Sequence, residues 1–397
     1  MALVACGAGE GALPTVPTLD EQGRDGMVAV SAGRDHTCAL SESGAAFCWG
    51  RNDHGQLGFP TSTPCDSAAQ PTCALDAHAV LGGLAFRTIS AGTSHTCAIT
   101  TGFAAWCWGT NADGELGSGG PDAPAPRAVT TTTLFAAISA GDTHTCAVAT
   151  DGTAWCWGRN DRGQLGTGDT IPRALPTPVA TSARFVDLSA GQARTCGRTT
   201  DARVLCWGAI WEYRRNGLEF TRAQLLPQDV PAAGAFTALS VGAFTTCGVT
   251  GGAAVCWEAN PYGEMGNGTT DGSTAPVPVA GGLAFTNVSV GVIQACGVAV
   301  DGSAWCWGND SFGQLGVPTG TLSARCGLQQ LVCSQVPVRV VGWRRFVSVS
   351  TGIGNHACGV TRESNVYCWG LGVSGQLGFG GRVTATAQPL RVAIRLQ

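Results

Sequence analysis

Lysine is absent from this chain of 397 residues, and charged residues make up only 13% of it. All 23 basic residues are therefore arginine; they form no cluster, and the formal net charge is −4. Because a nucleic-acid surface needs clustered basic side chains, this composition argues against a nucleic-acid partner. No apolar run reaches the length of a membrane span, so we expect membrane contact only through a lipid anchor.

Glycine and cysteine, by contrast, are abundant, with 58 and 19 copies. Glycine interrupts every stretch of the sequence, which disfavours helices and favours short strands joined by turns. The sequence has no Gly-x-Ser-x-Gly segment, no phosphate-binding loop and no His-Glu-x-x-His segment. We therefore expect a non-catalytic protein without a cofactor or metal. An active site assembled from scattered loops is the open alternative.

The pattern Cys-x₉-Cys-Trp-Gly, with close variants, occurs seven times at intervals of about 50 to 60 residues. A fixed period of this length in a strand-rich chain indicates a propeller or a solenoid. Each repeat contains four short strands: A (Ser-Ala-Gly), B, C (Cys-Trp-Gly) and D. The cysteine pairs of strands B and C are Cys38 with Cys48, Cys97 with Cys107, Cys146 with Cys156, Cys196 with Cys206, Cys247 with Cys256, Cys296 with Cys306, and Cys358 with Cys368.

The spacing of each pair predicts a disulfide across the hairpin of strands B and C. A three-residue loop at 42–44 places Cys38 directly opposite Cys48. In the fifth repeat the spacing shrinks by one, and Gly251-Gly252 supplies a two-residue turn, which glycine pairs favour. That pair falls at a non-hydrogen-bonded position, near the lower limit of disulfide reach. Loop length and cysteine spacing thus change together, as a cross-strand bond requires.

Two extended loops each contain one further cysteine pair. These insertions lie near residues 59–78 and 317–335, and their pairs are Cys65 with Cys73 and Cys326 with Cys333. Nine disulfides would require an oxidising compartment. Buried free thiols are the alternative, because cysteine packs well as a small apolar residue. Zinc is disfavoured, since these spacings do not match the usual short ligand spacings.

The remaining cysteine, Cys6, lies in the segment Leu3–Gly7, which resembles a bacterial lipobox. In that motif the cysteine becomes the lipid-modified N-terminus. The charged and apolar regions that precede a lipobox are missing, and a stray cysteine in a tail is the alternative. We assign residues 1–26 to a truncated lipoprotein signal with a flexible tether, and residues 27–397 to the repeats. The expected location is the cell envelope or the exterior.

The repeats resemble those of the regulator of chromosome condensation family. The resemblance is carried by the Ser-Ala-Gly strand, the His-Thr-Cys-Ala start of strand B, the Trp-Gly end of strand C, and an Asn-x-x-Gly-Gln-Leu-Gly turn (Asn52–Gly58, Asn160–Gly166). It implies an all-β, seven-bladed β-propeller of four-stranded antiparallel blades. The cysteine pairs are similar to those of the secreted bacterial branch. We expect the C-terminal strand, Gln388–Val392, to join the N-terminal strands and close the ring.

One face of such a ring carries the A–B turns and the C–D loops, and there the repeats differ most. The fourth C–D loop replaces the consensus with Trp211–Asn216, and the fifth and sixth A–B turns carry apolar side chains. Aromatic and arginine residues on loops are typical of protein interfaces, whereas drift in a degenerate repeat is the alternative. The predicted partner-binding residues are Trp211, Tyr213, Arg214, Phe244, Val292, Ile293, Arg34, Asp35 and Asp142.

Four histidines occupy equivalent positions before strand B in four repeats: His36, His95, His144 and His356. A shared metal site is one interpretation. We favour a hydrogen bond that each repeat makes in the same way, because ring-related positions lie too far apart for one ion.

We therefore expect an exported, monomeric, non-catalytic scaffold that binds an unidentified envelope or extracellular protein. The resemblance implies two alternatives: a nucleotide-exchange factor for a small GTPase, and a secreted enzyme or enzyme inhibitor with a cell-wall glycan or β-lactamase-type target. Nine disulfides disfavour the first alternative, because small GTPases are cytosolic. Loop carboxylates such as Asp35 and Asp142 are candidates for the enzyme, although nothing in the sequence pairs them.

Overall fold

The computed structural model describes residues 25–65, 71–214, 217–231 and 235–395, with side chains throughout except for 212–219. Within these ranges the protein is built from 29 strands and has no helix. The described residues accordingly offer no helix of a length and hydropathy suited to crossing a membrane. The strands form seven antiparallel sheets, one per repeat, arranged as the blades of a ring. The predicted seven-bladed β-propeller is confirmed.

Each blade follows the chain order A-B-C-D from the axis outwards. Blade 1 contains β1 (Met27–Ala32), β2 (His36–Ser41), β3 (Ala46–Arg51) and β4 (Cys73–Ala79). Blade 2 contains β5 (Phe86–Ala91), β6 (His95–Thr100), β7 (Ala105–Gly109) and β8 (Ala123–Ala128). Blade 3 contains β9 (Phe135–Ala140), β10 (His144–Ala149), β11 (Ala154–Gly158) and β12 (Arg173–Pro178). Blade 4 contains β13 (Phe185–Ala190), β14 (Arg194–Thr199), β15 (Val204–Arg214) and β16 (Gly217–Asp229).

The other three blades continue this order. Blade 5 contains β17 (Phe236–Val241), β18 (Thr245–Thr250), β19 (Ala253–Glu258) and β20 (Ser273–Pro278). Blade 6 contains β21 (Phe285–Val290), β22 (Gln294–Ala299), β23 (Ala304–Asn309), β24 (Arg325–Cys326) and β25 (Leu331–Arg339). Blade 7 contains β26 (Phe346–Ser350), β27 (His356–Thr361), β28 (Val366–Leu371) and β29 (Ala385–Arg391). The two-residue strand β24 comes from the second insertion and adds a fifth strand to its sheet.

All nine predicted disulfides are present. Seven of them join directly opposed residues of strands B and C, with Cα–Cα distances of 4.0–4.1 Å. This close approach is typical of a non-hydrogen-bonded pair. The seven hairpin bonds are Cys38 to Cys48, Cys97 to Cys107, Cys146 to Cys156, Cys196 to Cys206, Cys247 to Cys256, Cys296 to Cys306, and Cys358 to Cys368.

The remaining two bonds and the shortened hairpin also follow the prediction. Cys65 is bonded to Cys73 and Cys326 to Cys333, so each of these bonds closes its own insertion. In the fifth blade, Gly251 and Gly252 have φ of +57° and +80°, the conformation of a two-residue hairpin turn. The shorter turn keeps the cysteines of that hairpin directly opposed although their spacing is one residue less.

The ring is closed by contacts between the seventh and first blades. The C-terminal strand does not join the N-terminal strands as expected, because β29 pairs with β28 and completes blade 7, while blade 1 already has four strands of its own. The backbone contacts that close the ring include one just after the C-terminal strand, where Ala77 donates to the carbonyl of Ala393 and Arg395 donates to that of Ala77. One apolar cluster contains both Met27 and Val392, so the two ends of the repeat array share a core.

Candidate functional site between blades 4 and 5

Neighbouring blades are joined by a repeated contact between the C–D loop of one blade and strands B and C of the next. At the first boundary, Trp108 Nε1 and Thr96 Oγ1 both donate to the backbone carbonyl of Gln56, at 3.0 and 2.9 Å. The next residue, Leu57, is fully buried between the blades. Its amide donates to Asn52 Oδ1, which holds the loop in shape. The repeated spacing of the turn therefore places one carbonyl and one aliphatic side chain against the next blade.

The same indole-to-carbonyl bond is found at six of the seven boundaries, with distances of 2.6–3.0 Å. The pairs are Trp49–Gln376, Trp108–Gln56, Trp157–Glu115, Trp207–Gln164, Trp307–Glu264 and Trp369–Gln314. Because these indoles are also fully buried, they pack between the blades as part of the core.

The repeated histidines make a second contact between blades. His36 Nε2 lies 2.9 Å from Thr96 Oγ1, and the hydroxyl proton of Thr96 is already donated to Gln56, so the imidazole is the donor. Three further pairs match it: His95–Thr145, His144–Thr195 and His356–Thr37. Burial lowers the pKa of His36 and His144 to about 3 and that of His95 and His356 to about 4. The predicted repeated hydrogen bond is confirmed, and its rings are neutral.

Blade 4 departs from this scheme, because its C–D loop is replaced by the long hairpin of β15 and β16. Trp257 of blade 5 is 2% exposed, yet its Nε1–H has no acceptor among the described residues. Six of the seven interblade clusters contain the leucine or methionine of the preceding loop. The cluster around Trp257 contains none. Among the described residues, this boundary therefore has neither the carbonyl nor the aliphatic side chain that fill the other six.

Two charged residues occupy the same boundary. Arg194 takes the histidine position of blade 4, and Glu258 takes the position of the glycine that follows tryptophan in strand C. Arg194 Nε lies 2.7 Å from Glu258 Oε1, and Thr246 Oγ1 donates to Glu258 Oε2 at 2.9 Å. Glu258 thus accepts the threonine proton that a loop carbonyl accepts elsewhere. Its φ is +87°, a conformation that glycine adopts without strain and glutamate does not.

Electrostatically, this pair is held in a largely dry environment. The side chains of Arg194 and Glu258 are 10% and 15% exposed. Burial raises the pKa of the Glu258 carboxyl, and the adjacent guanidinium of Arg194 opposes that shift. Arg194 Nη1 also donates to the carbonyl of Ala209 at 3.0 Å, which fixes the guanidinium in place.

Together these changes leave a cavity of about 630 Å³ between blades 4 and 5. Its walls include Arg194, Trp211, Gln224, Trp257 and Glu258. Trp211 Nε1, like that of Trp257, is buried without a partner among the described residues. A volume of this size is within the range of ligand-binding pockets in proteins.

An aromatic cluster lies at one end of the cavity. The Trp211 ring packs edge-to-face on Phe244 at 5.5 Å and on Phe220 at 5.7 Å between centroids. The guanidinium of Arg162, from blade 3, lies 4.2 Å from the centroid of Phe220. The fold therefore brings two of the predicted partner-binding residues, Trp211 and Phe244, into direct contact.

The other predicted residues are distributed around the same face. Val292 and Ile293 are half-buried in the sixth A–B turn, which is linked to the fifth by the hydrogen bond from Ala243 N to Gly291 O. Arg34, Asp35 and Asp142 lie in the A–B turns of blades 1 and 3. The Asp35 carboxylate is 3.8 Å from Arg51, and burial raises its pKa. The side chains of Tyr213 and Arg214, and the whole of Cys6, lie outside the described residues.

Three residues of this site were not predicted from the sequence: Arg194, Trp257 and Glu258. Each had a visible signal. Arg194 replaces a repeated histidine, Glu258 replaces the glycine of Cys-Trp-Gly, and the loop that should cover Trp257 is missing from the preceding repeat. These signals acquire meaning only when blades 4 and 5 are placed side by side.

Comparison with known proteins agrees with the repeat architecture. A model of the RCC1-like domain matches residues 5–295, and a model of the regulator of chromosome condensation (RCC1) repeat matches residues 346–376. The chain belongs to the RCC1-like family. It is 31% identical over 365 residues to the ultraviolet-B receptor UVR8 of Arabidopsis thaliana, a match that covers 89% of this chain and 67% of the receptor. It is also 32% identical to the probable human E3 ubiquitin-protein ligase HERC6, covering 25% of this chain but only 9% of the ligase.

Solved structures share the fold of this RCC1-like chain at low sequence identity. Yeast RCC1 (Prp20) bound to Kap60 superimposes with a TM-score of 0.74 and 18% identity, covering 98% of this chain and 90% of the yeast protein. The ectodomain of the Arabidopsis thaliana receptor kinase ACR4 superimposes with a TM-score of 0.54 and 19% identity, covering 92% and 100%. At these identities the similarity establishes the propeller fold alone.

Proposed function

We propose that this RCC1-like propeller is a non-catalytic scaffold that binds another protein through the A–B turns and C–D loops of blades 4 to 6. The observation that carries the proposal is the aromatic cluster of Trp211, Phe220 and Phe244 beside the interblade cavity. Large aromatic side chains next to a concave pocket are characteristic of the energetic centres of protein interfaces.

The packing of the cluster supports this role. The aromatic rings are held by one edge-to-face contact within blade 4 and one between blades 4 and 5, and the flanking Arg162 lies over Phe220. Such a surface changes little on association, so less conformational entropy is lost when a partner binds. Yeast RCC1 (Prp20), which has the same fold, forms a complex with the protein Kap60.

We further infer that the protein acts outside the reducing cytosol. Nine disulfides in one chain are typical of exported proteins, because cytosolic thiols are kept reduced. The ACR4 ectodomain is a propeller of the same fold in a receptor. Cys6 would anchor the chain to a membrane once lipid-modified. A multiply acylated form is needed, since one acyl chain anchors only marginally.

Two single substitutions test the proposed face. Trp211→Ala removes the centre of the cluster, whereas Trp343→Ala removes an indole that is 91% exposed in the link between blades 6 and 7, at the opposite end of the strands. Both proteins, with their disulfides formed, are used to isolate partners from the native cell envelope after crosslinking. We expect Trp211→Ala to weaken capture of one stoichiometric partner by about 2 kcal/mol or more, and Trp343→Ala to leave capture unchanged.

The control for folding is Trp157→Ala, because Trp157 is one of the buried tryptophans that pack between neighbouring blades. Loss of a buried tryptophan costs about 3–5 kcal/mol of stability, so this variant should unfold more readily. If Trp211→Ala unfolds the protein instead, the fourth hairpin is structural and the binding face is misplaced. Turnover of a cell-wall glycan by the purified protein would support the enzyme in place of the scaffold.

The membrane anchor is tested separately by adding a complete upstream signal to the chain. We expect the resulting protein to partition into detergent and the Cys6→Ser variant to stay in the aqueous phase. Equal partitioning of the two proteins would refute the anchor and leave the scaffold proposal unaffected.

A further inference from the structure

At the boundary between blades 4 and 5, the described residues supply neither the loop carbonyl nor the aliphatic side chain that pack at the other boundaries, and a cavity remains. We name it the blade 4–5 socket: the indole Nε1–H of Trp257, with the cavity walls formed by Arg194, Trp211, Gln224 and Glu258. We propose that it binds a peptide segment of the partner, which presents a backbone carbonyl to Trp257 and an aliphatic side chain to the space beside it. This deepens the proposed function, and it rests on that function only for the source of the peptide.

The hydrogen-bonding requirement follows from the other boundaries. At four of the six boundaries that have the loop, one backbone carbonyl accepts two protons, one from threonine and one from tryptophan, as Gln164 does from Thr195 and Trp207. At the socket the threonine proton is satisfied, because Thr246 donates to Glu258. The Trp257 indole proton has no acceptor within the part of the chain that the structure describes. A buried N–H without a partner is unfavourable, so a ligand carbonyl at this point recovers a hydrogen bond that the free protein cannot make.

The requirement for an aliphatic side chain also follows from the other boundaries. At the boundary between blades 3 and 4, Leu165 is fully buried against Trp207. Around Trp257 the described residues supply no equivalent side chain, and the space opens into the 630 Å³ cavity. A leucine or methionine from the ligand fits this space. The socket is therefore complementary to the segment that the other six blades carry themselves.

The charges of the socket favour a neutral backbone over a free anion. Arg194 and Glu258 form an ion pair, so neither charge is left for an ionic ligand. The Glu258 carboxylate would repel a ligand carboxylate bound beside it in the socket. An internal peptide segment is thus preferred to a C-terminal carboxylate or a phosphate.

The probe for this site is the protein's own loop. A synthetic peptide with the sequence of Asn160–Gly166 (Asn-Asp-Arg-Gly-Gln-Leu-Gly), acetylated and amidated, is titrated into the full chain with its disulfides formed. Binding is measured by calorimetry, and the indole N–H resonances are followed by NMR. We expect saturable binding with the largest shift at the Trp257 indole resonance and a smaller one at Trp211, which lines the same cavity. A peptide carrying aspartate in place of Leu165 should bind at least about fivefold more weakly, since its side chain is charged.

Matched protein variants identify the atom responsible. Trp257→Phe keeps an aromatic ring, although a smaller one, and removes the N–H donor, and we expect it to weaken peptide binding by about fivefold. Trp207→Phe removes the equivalent donor at a boundary that is already filled, and it should leave the peptide affinity unchanged. Thr274→Trp enlarges an exposed residue that lines the cavity and should abolish binding without a change in the core.

Equal peptide affinity for Trp257→Phe and Trp207→Phe would overturn the inference, as would the absence of saturable binding to the unmodified protein. Binding that appears only after residues 1–24 are removed would overturn it too, because the occupant would then belong to this chain. If the peptide does not bind while Trp211→Ala still weakens capture of the native partner, the scaffold proposal stands and only the peptide site is refuted. If the peptide binds and Trp211→Ala does not weaken capture, the peptide site stands and the proposed binding face is refuted.

Discussion

Arg194 and Glu258 are joined by an ion pair across the boundary between blades 4 and 5, with 2.7 Å between Nε and Oε1. Both side chains depart from the residues that the repeat places there, a histidine and a glycine. The two departures compensate each other, because each charge would be buried without a counter-charge if the other residue followed the repeat.

This compensation predicts the outcome of restoring one consensus residue. Glu258→Gly relieves the strain of a non-glycine residue at positive φ. It also leaves Arg194 buried without a counter-charge and Thr246 without its hydrogen-bond acceptor. We expect a loss of about 3 kcal/mol in the free energy of unfolding, measured with urea on the disulfide-bonded protein. Adding Arg194→His restores the histidine-to-threonine bond and should recover most of that loss. Equal stability of the single and double variants would contradict the prediction.

The unpaired indole predicts a difference between two equivalent tryptophans. Trp207→Phe removes a buried hydrogen bond to Gln164, whereas Trp257→Phe removes an N–H that has no acceptor among the described residues. We therefore expect Trp207→Phe to destabilise the protein by about 1 kcal/mol more than Trp257→Phe. Chemical unfolding of both variants measures this difference. A larger loss for Trp257→Phe would mean that its indole is satisfied in solution.

A third prediction concerns pH. Glu264 occupies the glutamine position of the fifth C–D loop, and burial raises its pKa to about 8. Since the folded state holds this proton more tightly than the unfolded state, the contribution of Glu264 to stability falls as pH rises from about 4.5 to about 8. Glu264→Gln should stabilise the protein by roughly 2 kcal/mol more at pH 8 than at pH 5.

The reverse substitution at an equivalent site provides the control. Gln164 is 1% exposed in the third loop, and Gln164→Glu should introduce the pH dependence that Glu264→Gln removes. Unfolding free energies at several pH values measure both. A pH-independent effect of Glu264→Gln would show that its carboxyl is ionised in the folded protein.

The disulfides predict the thiol content of the native protein. Each hairpin bond closes a loop of about 11 residues, worth roughly 2–3 kcal/mol in the chain-entropy model. Protein isolated from its native compartment in a Cys6→Ser background should show essentially no free thiol when it is denatured without reductant. Recovery of ten or more thiols would overturn the assignment of an oxidising compartment.

The sequence predicts those features that depend on neighbouring residues. Cys146 and Cys156 lie on one hairpin, so their spacing alone indicates that they face each other. The same holds for the short turn at Gly251-Gly252, whose length follows the spacing of Cys247 and Cys256. Repetition then supplies the fold, because seven such hairpins with a shared strand pattern require a common architecture.

The candidate site could not be predicted in the same way. Arg194 and Glu258 belong to different repeats, and each appears in the sequence only as an isolated departure from the pattern. Trp257 matches the consensus perfectly and gives no local signal. What distinguishes it is a carbonyl missing from the previous blade, and only the packing of the blades shows which loop serves which tryptophan. Trp211 and Phe244 were predictable as a pair because both leave the pattern on the same face.

Six of the boundaries between blades are interchangeable in their indole contact, since any repeat that offers a loop carbonyl matches any repeat that offers a tryptophan. One such repeat can therefore replace another without loss of the indole contact. Blades 4 and 5 are the exception. Exchange of either one alone would set Arg194 against a glycine or Glu258 against a histidine, and a buried charge would lose its counter-charge. We therefore expect blades 4 and 5 to be exchangeable only as a pair.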